Sequence, residues 1–457
     1  MHIPPLLALS AWIPIGLFLF RRFQLRVAIL ANFLTGWAVL PSANYATAHV
    51  YFPYWILPVC LPSDHFVTKA TILGFTAICG ALLFCRAGMP KYRVSLWDIP
   101  IVLWCIVPLC SCAVNRLSVW IGLTSALYLF LSWLVPYYLG RLFFCDSDSL
   151  LLAAKAIVFA GIVYLPICLL ELFTGPQLYS HIYGYQPFRW IGAARYLGFR
   201  PIGFLEDGNQ LGIWMATSAL VAAVLSIRKL GYRILGLPLK WVAPLLISAT
   251  LLCQSAGSIL LLALLGPVTA FGRRSPLRIA TTVLLFGVLL FTGLQFARVV
   301  PWREIAQTNP FAHSIASGLR SIGRKSLGWR LGRDEGQAGT ALRKPFFGSG
   351  EWNWWRNGGI RPWDLWMLVF GMYGALGVFA LGWILISPII RIVWFAPARS
   401  ESQYLSLTMV FAGLLMMSVL DILMNAAMIL PYLIVAGALS PQRSESRITG
   451  SKDMVPS

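Results

Sequence analysis

Acidic residues are scarce in this chain, with 16 Asp and Glu among 457 residues against 36 Lys and Arg, and there are only five His. Imidazoles this few and scattered leave a metal centre or a Ser-His mechanism without support. A P-loop, a GxGxxG turn, an HExxH helix and a GxSxG elbow are all absent, so nucleotide-driven chemistry is equally unsupported. No internal repeat, heptad pattern or soluble domain is visible. The nine cysteines lie mostly within or near apolar runs, and Cys110-Ser-Cys112 lacks the spacing and partners of a zinc site. They read as small packing residues.

What the chain has instead is apolar length. Hydrophobic residues make up 58% of it and charged residues 11%. Runs of about 17 to 25 residues recur from end to end, long enough to cross a hydrocarbon core of roughly 30 Å as helices. They lack the dyad alternation of a barrel, and backbone groups in lipid must be satisfied within the segment. The expected fold is therefore all-α: a polytopic membrane protein of about 12–13 transmembrane helices with a large extracytoplasmic loop. The spans fall at 3–20, 27–41, 67–85, 99–114, 117–138, 150–173, 209–227, 234–253, 257–272, 279–297, 364–390, 404–421 and 424–440.

Base clusters in alternate short loops, at Arg21-Arg22 and Arg26, Arg86 to Arg93, Arg141, Arg228 to Arg233, Arg273 to Arg278, and Arg391 to Arg399. Assigning these to the cytoplasm needs no exception among the short loops. Much of the net charge of +20 is thus topogenic, which removes the nucleic-acid reading that such a charge invites. The first span carries its base after it rather than before, the reverse of a secretory signal, and is expected to be retained. The organisation that follows is a transmembrane bundle over 1–173, an outer loop over 174–208, central helices over 209–297, a second outer loop over 298–363, C-terminal helices over 364–440 and a cytoplasmic tail over 441–457.

The second loop is the anomaly. Between Arg298 and Arg361 it carries eleven Lys and Arg against four acids, on the face where base is normally depleted. Basic side chains gathered there suit an anionic group at the outer membrane surface. Arginine is the side chain best matched to phosphate, because it stays charged and its planar fork donates two parallel hydrogen bonds. The first loop offers Arg195 and Arg200, the second Arg330 and Arg333; the plainer role for each is an anchor among lipid headgroups. The second loop is also rich in Trp and Phe, too apolar for a freely solvated linker, and is expected to pack over the outer ends of the spans. Trp352 and Trp355 belong either to an interfacial aromatic belt or to a surface on which sugar rings stack. Glu171 closes the sixth span at its outer end. Asp364 opens the eleventh, where it would either complement the helix dipole or act as a base at a drying interface.

The order of these features resembles the bacterial O-antigen ligase and O-antigen polymerase superfamily, membrane glycosyltransferases of the GT-C type. The resemblance rests on Arg200-Pro-Ile-Gly203-Phe204 followed by Asn209-Gln-Leu-Gly212; on Cys253-Gln-Ser-Ala-Gly257, similar to a Thr-x-Ser-Arg-Gly turn but without its arginine; on Pro345-Phe-Phe-Gly348-Ser-Gly350 closing the large loop; and on Gly371-Met-Tyr-Gly374-Ala-Leu-Gly377 in the next span. It covers roughly residues 171–382. Asp364 stands where the ligases place a histidine, a departure that leans towards a polymerase or an unassigned relative.

What the resemblance implies is transfer of a glycan from a polyprenyl diphosphate carrier to an acceptor sugar hydroxyl, by inversion, with no metal and no cofactor. Arg200 and Arg330, with Arg195 and Arg333 behind them, would hold the diphosphate as charge grows on it. Asp364 would accept the hydroxyl proton, with Glu171 second and Asp421 third. Asp207 and Asn209, with Trp352 and Trp355, would orient the loop or bind sugar. The implied location is the bacterial cytoplasmic membrane, with the large loop outside, the C-terminus inside, membrane lipid around the chain and other polysaccharide-assembly proteins as possible partners. Two rival classes stand beside this: a transporter or flippase of lipid-linked sugars, which predicts inverted repeats and interrupted helices, and a non-catalytic assembly protein whose basic loop binds anionic polymer.

Overall fold

The computed structural model describes residues 2–43, 66–84, 95–184, 194–195, 197–231, 233–271, 274–297, a few positions between 304 and 317, 337–356, 361–395, 402–423, 425–426 and 429–440. Within these the chain is almost wholly helical. The long helices are α1 (Pro5–Arg22), α2 (Leu25–Val39), α3 (Lys69–Phe84), α4 (Ile99–Val114), α5 (Val119–Leu129), α6 (Val135–Phe143), α7 (Ser147–Thr174), the short α8 (Leu178–Tyr183), α9 (Gly208–Ile227), α10 (Leu239–Leu252), α11 (Ala256–Phe271), α12 (Arg274–Ala297), α13 (Leu365–Ile390), α14 (Ser402–Asp421) and α15 (Pro431–Leu439). Two-residue hairpins, β1–β2 at Ala194–Phe199 and β3–β4 at Arg233–Pro238, are the strands present among the described residues.

Eight of these helical stretches are long and apolar enough to cross a bilayer, which is compatible with a multi-pass membrane protein. A further four apolar helices of 10–17 residues pack with them. Each expected span coincides with a helix, with one correction at the C-terminus. Among the described residues of 424–440, only the nine of α15 are helical, about 13 Å at 1.5 Å per residue, too short to cross alone. Pro431 at its first turn lacks the N–H that an earlier turn would need.

Polar groups inside the bundle act as joints. Asn32 of α2 accepts from the Trp12 indole of α1 at 3.0 Å and donates to the Leu73 carbonyl of α3 at 3.0 Å. The helices α5 and α6 are one rod joined by a π-turn at Phe130–Leu134, placed where Pro136 withholds an N–H from the ladder. Where α6 crosses α15, Gly140 lies against the Ile434 carbonyl and Gly437 against the Tyr137 carbonyl, the close approach that small residues permit between membrane helices.

The two ends of the bundle differ chemically. One end holds base: Arg26 pairs with Asp146 at 2.6 Å, Arg228 donates to the Thr269 carbonyl, Arg278 to the Val393 and Trp394 carbonyls and Arg391 to the Leu439 carbonyl. Buried Arg141 pairs there with Asp98, itself part of a capping box with Ser95. Arg228, Arg278 and Arg391 meet helix C-termini, whose last carbonyls need donors, while Arg26 and Arg141 meet the acids that stand at the N-cap positions of α7 and α4. The opposite end gathers the first loop, the turn after α10 and the end of the second loop.

Candidate functional site

Two polar assemblies occupy that loop end. The first is built around α9. Asp207 is the N-cap of this 20-residue helix, accepting from the Gln210 N–H at 2.7 Å. Gln210 in turn accepts from the Glu206 N–H at 3.0 Å, so the entry to the helix is tied reciprocally. Arg200 lies across the start of α9, half-buried, and its Nη2 donates to Asn209 Oδ1 at 2.7 Å. Gly208 makes this lie possible, since a β-carbon there would meet Arg200 Nε at 2.5 Å. A guanidinium at a helix N-terminus is electrostatically out of place, because that end of the dipole is already positive. The Asp207 carboxylate shares this end, accepting from Gln210 N–H and from Asn209 Nδ2 at 3.4 Å, so an anion here would be met by Arg200 and the helix N–H groups beside one acid.

The loop that carries Arg200 is held from below by Glu171. This carboxylate, 1% exposed, accepts from Ile202 N–H at 2.8 Å and Gly203 N–H at 2.6 Å through one oxygen, and from Leu178 N–H at 3.2 Å through the other. Both oxygens are occupied by backbone of the loop they hold. The expected second acid is therefore placed as an anchor of the Arg200 turn. Gln254, in the turn between α10 and α11, reaches the hairpin that holds Arg195, accepting from Leu197 N–H at 3.4 Å and donating to the Phe199 carbonyl at 3.5 Å. Three of the sequence motifs thus pack on one another as a single scaffold.

Beneath this scaffold lies a pair that the sequence reading missed. Lys69, at the start of α3, forms a buried ion pair with Glu206; they are 4% and 2% exposed. Glu206 Oε1 also accepts from Ser42 Oγ at 2.8 Å, and Lys69 Nζ donates to the Trp37 carbonyl at 3.3 Å and lies 5.6 Å from the Trp37 ring centroid. The pair ties α2 and α3 to the turn that presents Asp207. Lys69 stands at the edge of an apolar run, where a lysine ordinarily reaches for the interface; only its partner, far along the chain, reveals the role.

The second assembly surrounds α13. Its helix is interrupted at Gly374, whose φ of 68° and ψ of −164° belong to a region reserved for glycine. The break is filled by the segment 345–350. Ser349 and Gly350 N–H donate to the Gly371 and Met372 carbonyls at 2.9 Å each, and Ala375 and Leu376 N–H donate to the Pro345 and Phe346 carbonyls at 2.7 and 3.2 Å. From α4, Ser111 Oγ donates to the Phe347 carbonyl at 2.5 Å and Asn115 Nδ2 to the Gly348 carbonyl at 2.9 Å. Four peptide groups opened by the kink are thereby satisfied, as an apolar surrounding requires. Gly348 (φ 63°) packs on the Met372–Tyr373 backbone, as Gly374 packs on Phe346. An interrupted helix, which the rival transporter class predicts, is therefore present. The two glycine motifs are two halves of one joint.

Asp364 is the N-cap residue of α13 and is 1% exposed; its side chain makes no capping hydrogen bond to the first turn. The next residue's N–H donates to the Ile422 and Asn425 carbonyls, which brings Asp364 to the turn where Asn425 donates to Asp421 Oδ1 at 2.6 Å. Two of the three expected acids therefore share a neighbourhood, and Glu171 belongs to the other assembly. Trp352 and Trp355 meet edge to face at 6.4 Å and are half-buried, while Trp354 is buried over Gly371 and donates to the Leu368 carbonyl. The end of the second loop, from 337 to 355, is packed onto the bundle in this way, with Ala338 and Ala341 buried. Arg330, Arg333 and the tail 441–457 lie outside the described residues.

Among the described residues no group of three or more His, Cys, Asp or Glu is arranged to hold a metal ion. No family model, no curated protein and no solved structure matches this chain.

Proposed function

We propose that this protein transfers a glycan from a polyprenyl diphosphate carrier to an acceptor sugar hydroxyl at the outer face of a bacterial cytoplasmic membrane, as a polysaccharide polymerase. The observation that carries the reading is Arg200, laid over Gly208 at the N-terminus of α9 and bonded to Asn209. Its guanidinium and the helix end together make a site for a diphosphate whose charge grows in the transition state. Asp364, buried at the start of α13 beside Asp421 and Asn425, is the proton acceptor. Glu171 and the Lys69–Glu206 pair hold the Arg200 turn in register. Arg330 and Arg333 are assigned to the diphosphate on sequence alone. The base collected at the opposite end of the bundle supports placing that end in the cytoplasm. A ligase-type transfer to a lipid-linked acceptor uses the same groups, and Asp364 in place of histidine favours the polymerase.

The interrupted α13 favours a second reading, a transporter of lipid-linked oligosaccharide, since broken helices mark such paths. Here the peptide groups at the break are taken by residues 345–350 rather than presented to a path. Purified protein in liposomes, given the lipid-linked repeat unit, separates the two. Polymerisation that Arg200→Ala lowers by about 10²–10³, that Arg200→Lys restores in part, and that Asp364→Asn abolishes with donor binding retained supports transfer. Movement of the lipid between leaflets without new glycosidic bonds supports transport.

A further inference from the structure

The last turn of α12 holds a polar side chain that its surroundings do not explain. Gln295 is 2% exposed, and neither its Nε2 nor its Oε1 bonds to any protein atom. It sits on a helix that otherwise turns most of its apolar surface outwards. Its neighbour Phe296 packs edge-on to Trp366 at 4.7 Å and on Phe370 at 4.2 Å, so the end of α12 lies against the first turns of α13. Trp366 is 4% exposed, and its indole Nε1 likewise has no protein acceptor. Buried polar groups in folded proteins are overwhelmingly satisfied, and an amide left without a partner is costly to fold around. Leucine or methionine at 295 would fill the volume without that cost. A polar choice kept against stability is the mark of a site that awaits a ligand.

We propose that Gln295, with the indole N–H of Trp366, forms a subsite for a hydroxyl-rich ligand, the acceptor sugar, where α12 meets the first turns of α13. Resting on the transfer reading above, this assigns to α12 the recognition of the acceptor. The chemistry suits a sugar: one amide that both donates and accepts, one fixed indole donor, and aromatic rings for the C–H faces. Trp366 belongs to the first turn of α13, the helix that Asp364 caps, so the subsite and the proposed proton acceptor share that helix start.

The test uses full-length protein in lipid nanodiscs and, as probe, the repeat-unit oligosaccharide released by mild acid from the host's lipid-linked glycan. The variants Gln295→Met and Trp366→Phe keep volume and ring packing while removing the unpartnered atoms. The expected result has three parts. Gln295→Met unfolds at a higher temperature than the wild type without probe; the probe raises the wild-type midpoint but not that of the variant; and each variant raises the acceptor KM about tenfold, the loss of one hydrogen bond, with kcat little changed. A lower midpoint for Gln295→Met together with no response of the wild type to the probe overturns the subsite, since the amide is then a structural group served by water. Wild-type KM in both variants overturns it as well. If the wild type forms no glycosidic bonds at all, the transfer reading fails on its own. A probe response that depends on Gln295 would still uphold the sugar site.

Discussion

Replacing Gly374 by alanine tests the architecture at its most unusual point. The glycine adopts φ 68° and ψ −164°, and a β-carbon there would overlap the Phe346 carbonyl, a backbone atom with no freedom to turn aside. The conformation alone costs a non-glycine residue on the order of 1–3 kcal/mol. Relieving the overlap means withdrawing residues 345–350, which breaks up to four backbone hydrogen bonds worth about 1 kcal/mol each. With all four bonds lost, the two sources together cost about 5–7 kcal/mol. Gly382 serves as the control within the same helix, because a β-carbon there meets nothing within 4 Å. Gly382→Ala should be neutral or stabilising by up to about 1 kcal/mol through helix propensity. Denaturant unfolding in detergent reads the difference, and limited proteolysis near Phe346 reads the release of the segment. Equal stability of the two variants would refute the interrupted helix and the joint built on it.

Three further outcomes follow from the contacts described. Neutralising one member of the buried Lys69–Glu206 pair, as Glu206→Gln or Lys69→Met, should destabilise by about 3–5 kcal/mol, whereas Lys69→Met with Glu206→Leu recovers most of it; thermal unfolding of the singles and the double forms the cycle, and additive losses would remove the coupling. Glu171→Gln exchanges one acceptor oxygen for a donor facing backbone N–H groups and should cost about 1.5–3 kcal/mol, with faster proteolysis of the 194–203 turn; unchanged cleavage would show that the carboxylate does not anchor it. A reporter enzyme fused after Ser440 should register the cytoplasm, and one inserted near residue 315 the outside; the opposite pattern overturns the orientation read from the arginines.

Much of this fold is legible in the sequence because apolar length in lipid leaves only the helix. The boundary at Pro431 shows the limit, since the apolar run continues upstream of it while the Asn425 carbonyl accepts from the Leu365 N–H, a contact from far along the chain. The break in α13 is harder to see. Gly371, Gly374 and Gly377 in an apolar run read as a packing face, and the hydrogen bonds that replace the ladder come from residues some thirty positions upstream. Arg200 and Asn209 stand nine residues apart, so their pairing follows from one local turn. Lys69 and Glu206 share no local signal. Glu171 is visible as an acid at a helix end; its work as an acceptor for loop N–H groups is not, because that depends on how the chain returns over it.

The central claim is glycosyl transfer from a lipid-linked donor, and cells report on it directly. Mass spectrometry of polyprenyl-linked glycans, compared between cells with the protein and cells without it, reads the length of the chains on the carrier. Single repeat units should accumulate in cells that lack the protein and disappear when the wild type is restored, but not when Asp364→Asn or Arg200→Ala is supplied. An unchanged distribution of lipid-linked chain lengths in cells without the protein would contradict the account.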